Sequence, residues 1–240
     1  MIKQLVKRTF RALGFDLRRF SPASDSLNEI CQLLQKTHRP VVFDVGAHHG
    51  QTARTFAKSF PGGTLYCFEP FPDSFAELKK NSNNYPAANL EPFGFSDSIG
   101  QHEFHINTST ATNSLLQLES HAATTWGNSA LTPVAKMKCN FETIDGYLDR
   151  KGIQQIDLLK MDVQGAEYKV LKGAEMSLRT DCIRNVYMEI ITGETYSGQL
   201  RFVDYLSLMD SYGFRLQGLY NLEYGAARQL VQLDALFSKR

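Results

Sequence analysis

The run Val41-Val42-Phe43-Asp44-Val45-Gly46-Ala47-His48-His49-Gly50-Gln51-Thr52 constrains this chain more than any other feature. Five residues, apolar except for Asp44, read as a buried parallel strand, which Gly46 ends. A glycine-bounded loop follows, and Gln51-Thr52 opens a helix. Glycines at 46 and 50 let the backbone adopt a left-handed conformation or pass close to a ligand, where a Cβ would collide. A strand running through such a loop into a helix is the first unit of an α/β fold, which narrows the architecture at once.

The same alternation continues along the chain. Strands are expected at Thr64–Phe68, Leu90–Phe95, Gln101–Asn107, Lys136–Thr143, Ile156–Met161, Val186–Ile191, Phe214–Leu219 and about Gln229–Phe237. Helices are expected over residues 50–60, 71–83, 144–150, 166–177 and 200–212. This spacing implies a mostly parallel, seven-stranded Rossmann-like sheet with helices on both faces. Ligands of such sheets bind at the carboxyl ends of the strands. Residues 108–135 are rich in Ser, Thr, Asn and Ala with weak periodicity, and read as an inserted flap. Residues 1–39 read as amphipathic helices preceding a binding domain over 40–240.

Composition bounds the partners. A chain of 240 residues with net charge +1 suits one domain, and gives no electrostatic basis for general nucleic-acid binding. Residues 1–20 carry six basic side chains against Asp16 alone, so the remainder is net acidic. That segment can lie on an anionic membrane surface, cap its own domain or meet a second copy in a homodimer; the cap is the favoured reading. The four cysteines are scattered without C-x-x-C spacing, which argues for a reducing, cytoplasmic setting, with contact at the inner membrane surface left open.

The spacing of the loop selects its ligand. Dinucleotide loops need G-x-G-x-x-G, whereas here the pattern is G-x-x-x-G with His48 in the middle position. A ligand without phosphate fits better, and S-adenosylmethionine offers an ammonium, a carboxylate and a sulfonium. Asp44 is placed to hold the ammonium and the loop N–H groups, from Gly46 and Ala47 onward to Thr52, the carboxylate. Glu69, nineteen residues after Gly50 and at the end of the second strand, is placed to accept hydrogen bonds from both ribose hydroxyls. Phe71 is a candidate to pack on the adenine, and Ser96 and Asp97 end the third strand within reach of its nitrogens.

The second informative segment is Ile156-Asp157-Leu158-Leu159-Lys160-Met161-Asp162-Val163-Gln164-Gly165-Ala166-Glu167. Its apolar strand delivers Lys160, Asp162 and Gln164 to one end of the sheet. A carboxylate there is costly unless paired or working. Asp162 is the first candidate for general base and His48 the second. In the flap, Asn113, Ser114 and Trp126 are candidate acceptor contacts. No ligand spacing supports a metal site.

The stretches "VFDVGAHHGQT", "FEPFP", "FSD", "DLLKMDVQGAEYKVLKGAE" and "YMEI" resemble the FkbM-type methyltransferases over roughly residues 41–192. The resemblance implies a class I fold, S-adenosylmethionine as methyl donor, and O-methylation of a sugar or related natural-product hydroxyl. It implies donor contacts at Asp44, Gly46, Ala47, Gly50 and Glu69, and an acceptor end at Asp162 with Glu167 and Glu189 nearby; Gln164, beside them, is a further candidate acceptor contact. Two departures stand out: His48-His49 replaces the usual Asn and aliphatic pair, and Gln164 replaces a common Glu. A silent binding module built on the same pocket, or an N-methyltransferase, are the rival readings. The absent middle glycine argues against a nicotinamide-dependent oxidoreductase.

Overall fold

A computed structural model of the protein describes residues 26–84, 88–126 and 131–240. The basic segment expected over residues 1–20 lies outside these residues. Ten strands and eight α-helices are described. The helices are α1 (Ser26–Leu34), α2 (Gln51–Ser59), α3 (Pro72–Asn81), α4 (Ala122–Trp126), α5 (Ile144–Lys151), α6 (Glu167–Lys172), α7 (Glu175–Arg179) and α8 (Phe202–Ser211). The strands are β1 (Val41–Val45), β2 (Thr64–Phe68), β3 (Ala88–Glu91), β4 (Gly94–Phe95), β5 (Gly100–Asn107), β6 (Pro133–Glu142), β7 (Leu158–Met161), β8 (Asn185–Ile191), β9 (Phe214–Tyr224) and β10 (Leu230–Lys239).

Seven strands form the main sheet in the order β3-β2-β1-β7-β8-β10-β9. The pairings β1–β2, β1–β7, β2–β3 and β7–β8 are parallel, and β10 runs antiparallel to both of its neighbours. Successive residues of β1 face opposite sides. Phe43 and Val45 enter a large core shared with α5 to α8, while Val42 faces a second core with Ile30 of α1 and Ala53 and Phe56 of α2. The expected seven-stranded sheet with helices on both faces is therefore present. Strand order reverses between β1 and β7, and the loops after these strands meet there.

The structure corrects two boundaries. The single strand expected over Leu90–Phe95 is two, because Pro92 lacks an N–H to continue the ladder. β3 stays in the main sheet, whereas β4 pairs with β6 in a separate three-stranded sheet of order β4-β6-β5. The helix expected over 166–177 is broken into α6 and α7 at Gly173. A Cβ at Gly173 would lie 2.1 Å from the Ser96 carbonyl oxygen, so the chain there presses against the neighbouring loop. The Asp145 carboxylate then caps the new helix, accepting the Met176 and Ser177 N–H groups at 2.9 Å each.

Residues 108–132 connect β5 and β6. They contain a 3₁₀ turn at Thr110–Thr112 and helix α4, and they return against the main sheet. The Ser114 hydroxyl donates to the Gln164 carbonyl at 2.7 Å, and the Tyr196 hydroxyl donates to the Thr112 carbonyl at 2.8 Å. The flap is thus fastened to the loops after β7 and β8.

Candidate active site

A cavity of about 310 Å³ opens at the carboxyl ends of β1, β2 and β7, beneath the start of the flap. Gly46, Ala47, His48 and Thr52 form one side, Glu69 and Asp162 the next, and Gln164 and Asn113 part of the rim. Eight residues singled out in the sequence therefore meet around one cavity. Phe95, Phe104, Phe141 and Leu115 supply an apolar side that the sequence reading did not assign.

The glycine loop earns its composition at Gly46. Its φ is +74°, and a Cβ there would stand 1.9 Å from the Asp162 carbonyl oxygen. Gly46→Ala combines left-handed strain with a backbone clash, for a loss of about 2–5 kcal/mol of stability. Thermal unfolding checks this; a variant that melts with the wild type would show that the loop is not so tightly seated against β7.

Glu69 is nearly fully buried at the end of β2. One carboxylate oxygen accepts the His48 N–H at 2.9 Å, and the other accepts the Phe71 N–H at 2.9 Å. An ionised carboxylate offers about four lone-pair positions, so each oxygen keeps acceptor capacity on the cavity side. Burial pushes its pKa up to about 7, against the lowering effect of those two backbone bonds.

Asp44 behaves differently from the expectation. Its side chain is fully buried behind the wall, and Asp44 is not among the residues lining the cavity. Its register partner on β7 is Lys160, whose ammonium lies 2.8 Å from one carboxylate oxygen. Burial pushes the Asp44 carboxyl above the usual carboxylate range, and the Lys160 charge pulls it back. Burial works against the Lys160 charge as well, but Asp44, Asp162 and Glu189 outweigh it and hold its pKa above the ordinary value. Lys160, not Asp44, reaches the cavity. It also donates to the Gly46 carbonyl at 3.3 Å and stands 3.9 Å from Asp162.

Asp162 is 41% exposed and lines two cavities, this one and a neighbour described below. Gln164, with φ +56°, bridges outward: its amide donates to Asp162 at 2.9 Å and to Glu189 at 2.6 Å. His48 also has positive φ, at +46°. Its Nε2 lies 2.9 Å from the Thr110 hydroxyl, linking the glycine loop to the flap, and its ring stacks on His49. Burial, with His49 beside it, lowers the His48 pKa.

Several expected contacts do not line the cavity. Phe71 is in the small core of Phe104, Cys139 and Phe141, and it is the latter two phenylalanines that reach the wall. Ser96 is buried and donates to Asp97, which pairs with Lys169 at 3.4 Å. Ser114 is fully buried in its bond to Gln164. Trp126 donates to the Thr195 hydroxyl at 2.7 Å and packs against Leu118, Leu131 and Tyr196, so it stabilises the flap. Glu167 accepts the Val163 N–H at 2.9 Å and staples the loop after β7, with burial raising its pKa to about 7. Gly50 caps α2 with φ +86° without forming the wall.

Among the described residues, no group of three or more His, Cys, Asp or Glu is spaced to hold a metal ion, and no helix is long and apolar enough to cross a membrane. The four cysteines are free.

The sheet order, the glycine loop after β1 and the acid after β2 together define a Rossmann-like class I methyltransferase. The chain belongs to the FkbM methyltransferase family, matching its "Methyltransferase FkbM domain" over residues 44–216. It is 30% identical over 191 residues to the 2-O-methyltransferase NoeI of Sinorhizobium fredii, covering 77% of this chain and 76% of that one. It is 26% identical to the hexuronic acid methyltransferase AglP of Haloferax volcanii, over 64% of this chain and 56% of the other. The 31-O-demethyl-FK506 methyltransferase FkbM of Streptomyces tacrolimicus is 29% identical over 56% of this chain and 59% of its own. The matches thus span little more than half the length of the last two. The fold is similar to that of methyltransferase FkbM from Methylobacillus flagellatus KT, with TM-score 0.51, 12% identity and coverage of 86% of this chain and 47% of that one. The family and fold imply a donor of the S-adenosylmethionine type.

Proposed function

We propose that the chain transfers a methyl group from S-adenosylmethionine to a hydroxyl of a sugar or related natural product. The observation that carries this reading is the Glu69 carboxylate, set on the cavity wall beside the glycine loop with acceptor capacity left on both oxygens. The ribose diol is its natural partner, the rings of Phe95, Phe104 and Phe141 suit the adenine, and the loop at Gly46 and Ala47 suits the amino-acid tail. Asp44 acts at one remove, by keeping Lys160 charged beside that tail. The acceptor class is supported by the relatives, among them a 2-O-methyltransferase and a hexuronic acid methyltransferase.

The donor supplies an electrophilic methyl carbon. The acceptor oxygen forms a bond to that carbon as the carbon–sulfur bond breaks, the sulfonium becoming a thioether, and the hydroxyl proton goes to a base. Asp162 is the base in this reading, because it alone of the two candidates faces both cavities. His48 holds the glycine loop to the flap, and the flap excludes water. Alignment by these walls supplies much of the rate, since methyl transfer is an in-line displacement.

The raised pKa of Glu69 provides a test. Hydrogen bonds from a diol favour the ionised carboxylate, so donor binding lowers that pKa. Between that lowered value and about 7, binding of S-adenosylhomocysteine therefore releases a proton, and well above 7 it does not. Calorimetric titrations in two buffers of different ionisation enthalpy measure the proton count. The expected release approaches roughly one proton per site inside that window, falls away on either side of it, and vanishes in Glu69→Gln. Proton uptake, or release that persists in Glu69→Gln, would remove Glu69 from the donor site.

A further inference from the structure

A second cavity, of about 540 Å³, adjoins the first and shares Thr52, Lys160 and Asp162 with it. It lies at the ends of β7 and β8 and against the β9–β10 hairpin, away from the flap. Its chemistry is one-sided. Asp162, Glu189, Glu223 and Asp234 all line it, and the single cation among the described lining residues, Lys160, is already matched by Asp44.

Glu189 is the informative side chain. It is only 8% exposed and lies on the wall of this cavity. One carboxylate oxygen accepts from Gln164 at 2.6 Å, and the other has no hydrogen-bond partner among the described residues. That oxygen is open to the cavity, where it is placed to accept from a ligand donor. Asp234 stands nearby, oriented by the Tyr187 hydroxyl at 2.5 Å and the Asn221 amide at 2.6 Å. Its other oxygen likewise carries no hydrogen bond within the described residues.

Resting on the donor reading of the first cavity, we propose that this second cavity is the acceptor subsite and that it selects uncharged, hydroxyl-rich acceptors, such as a neutral glycosyl unit, over uronates. Glu189 and Asp234 accept hydrogen bonds from acceptor hydroxyls, which orients the sugar. The hydroxyl to be methylated then points at Asp162, on the wall common to both cavities. An acceptor bearing its own carboxylate would add a further anion beside Asp162 and Glu223, in a cleft where burial, and then neighbouring carboxylates, already raise the Glu189 and Asp234 pKa values. The acceptor enters from the β9–β10 side, so Asn113, Ser114 and Trp126 of the flap do not select it.

Saturation-transfer NMR on the complex with S-adenosylhomocysteine tests this with a matched pair of probes, methyl β-D-glucopyranoside and methyl β-D-glucuronopyranoside. The glucoside is expected to bind at least about tenfold more tightly. Glu189→Gln with Asp234→Asn should weaken the glucoside several-fold. Glu223→Lys, at an exposed rim position that cannot disturb the core, should narrow the gap between the probes. Equal or preferred binding of the glucuronide, no binding of either probe, or a glucoside affinity unmoved in the double variant overturns the proposal. S-adenosylhomocysteine titrated into the wild-type protein separates the two readings. If it binds and the glycosides fail these tests, the acceptor assignment falls alone; if it does not bind, the donor reading has fallen first.

Discussion

Exchange of Lys160 for Met is expected to destabilise the protein by about 3–5 kcal/mol, the usual cost of stranding one partner of a buried ion pair. The ammonium lies 2.8 Å from one Asp44 oxygen, and in its full burial the carboxylate relies chiefly on that charge. Without Lys160, Asp44 keeps its place between β2 and β7 with no compensating charge. At pH 7 it must either remain ionised in an apolar layer or take up a proton. For a domain of this size the loss corresponds to a melting temperature lower by roughly 6–20 °C. The double substitution Lys160→Met with Asp44→Asn removes both charges and should recover a large part of that loss, since replacing a whole buried pair is often neutral. Thermal unfolding of the two variants decides the matter. A single variant that melts within a degree or two of wild type would show that the pair does not hold β1 to β7.

Asp162→Asn is expected to lower kcat by roughly 10²–10⁴-fold, the range for loss of a general base. The amide keeps the shape and the bond to Gln164 but cannot take the acceptor proton. Affinity for S-adenosylhomocysteine should stay within a few-fold of wild type, because the proposed ribose contact is Glu69. The corresponding His48→Asn substitution should act mainly on binding, since His48 bridges the loop to Thr110 of the flap and faces only the first cavity. Single-turnover rates with preloaded donor separate the two cases. A large kcat loss in His48→Asn with a small one in Asp162→Asn would exchange their roles.

Legibility in the sequence followed the range of the interactions. The unit from Val41 to Thr52 announces itself because strand, loop and helix are contiguous, and Glu69 follows from one further strand. Asp162 is visible because β7 is so apolar that its first polar residues stand out. Glu189 carried only the family resemblance to mark it, and Asp234 and Asn221 went unmarked. They belong to an antiparallel hairpin whose polar alternation reads as ordinary solvent exposure. The pairing of Asp44 with Lys160 needed the β1–β7 register, which no local pattern encodes. Trp126 and Phe71 misled for the opposite reason. Aromatic residues near a site suggest stacking, yet both are drawn into small satellite cores, leaving Phe104 and Phe141, from the paired strands β5 and β6 of the second sheet, to form much of the apolar wall.

A crystal structure of the protein with S-adenosylhomocysteine tests the central claim most directly. It should place both ribose hydroxyls on the Glu69 carboxylate, the adenine among Phe95, Phe104 and Phe141, and the sulfur facing Asp162. An adenosyl group bound elsewhere, with Glu69 still bonded only to the His48 and Phe71 amides, would contradict it.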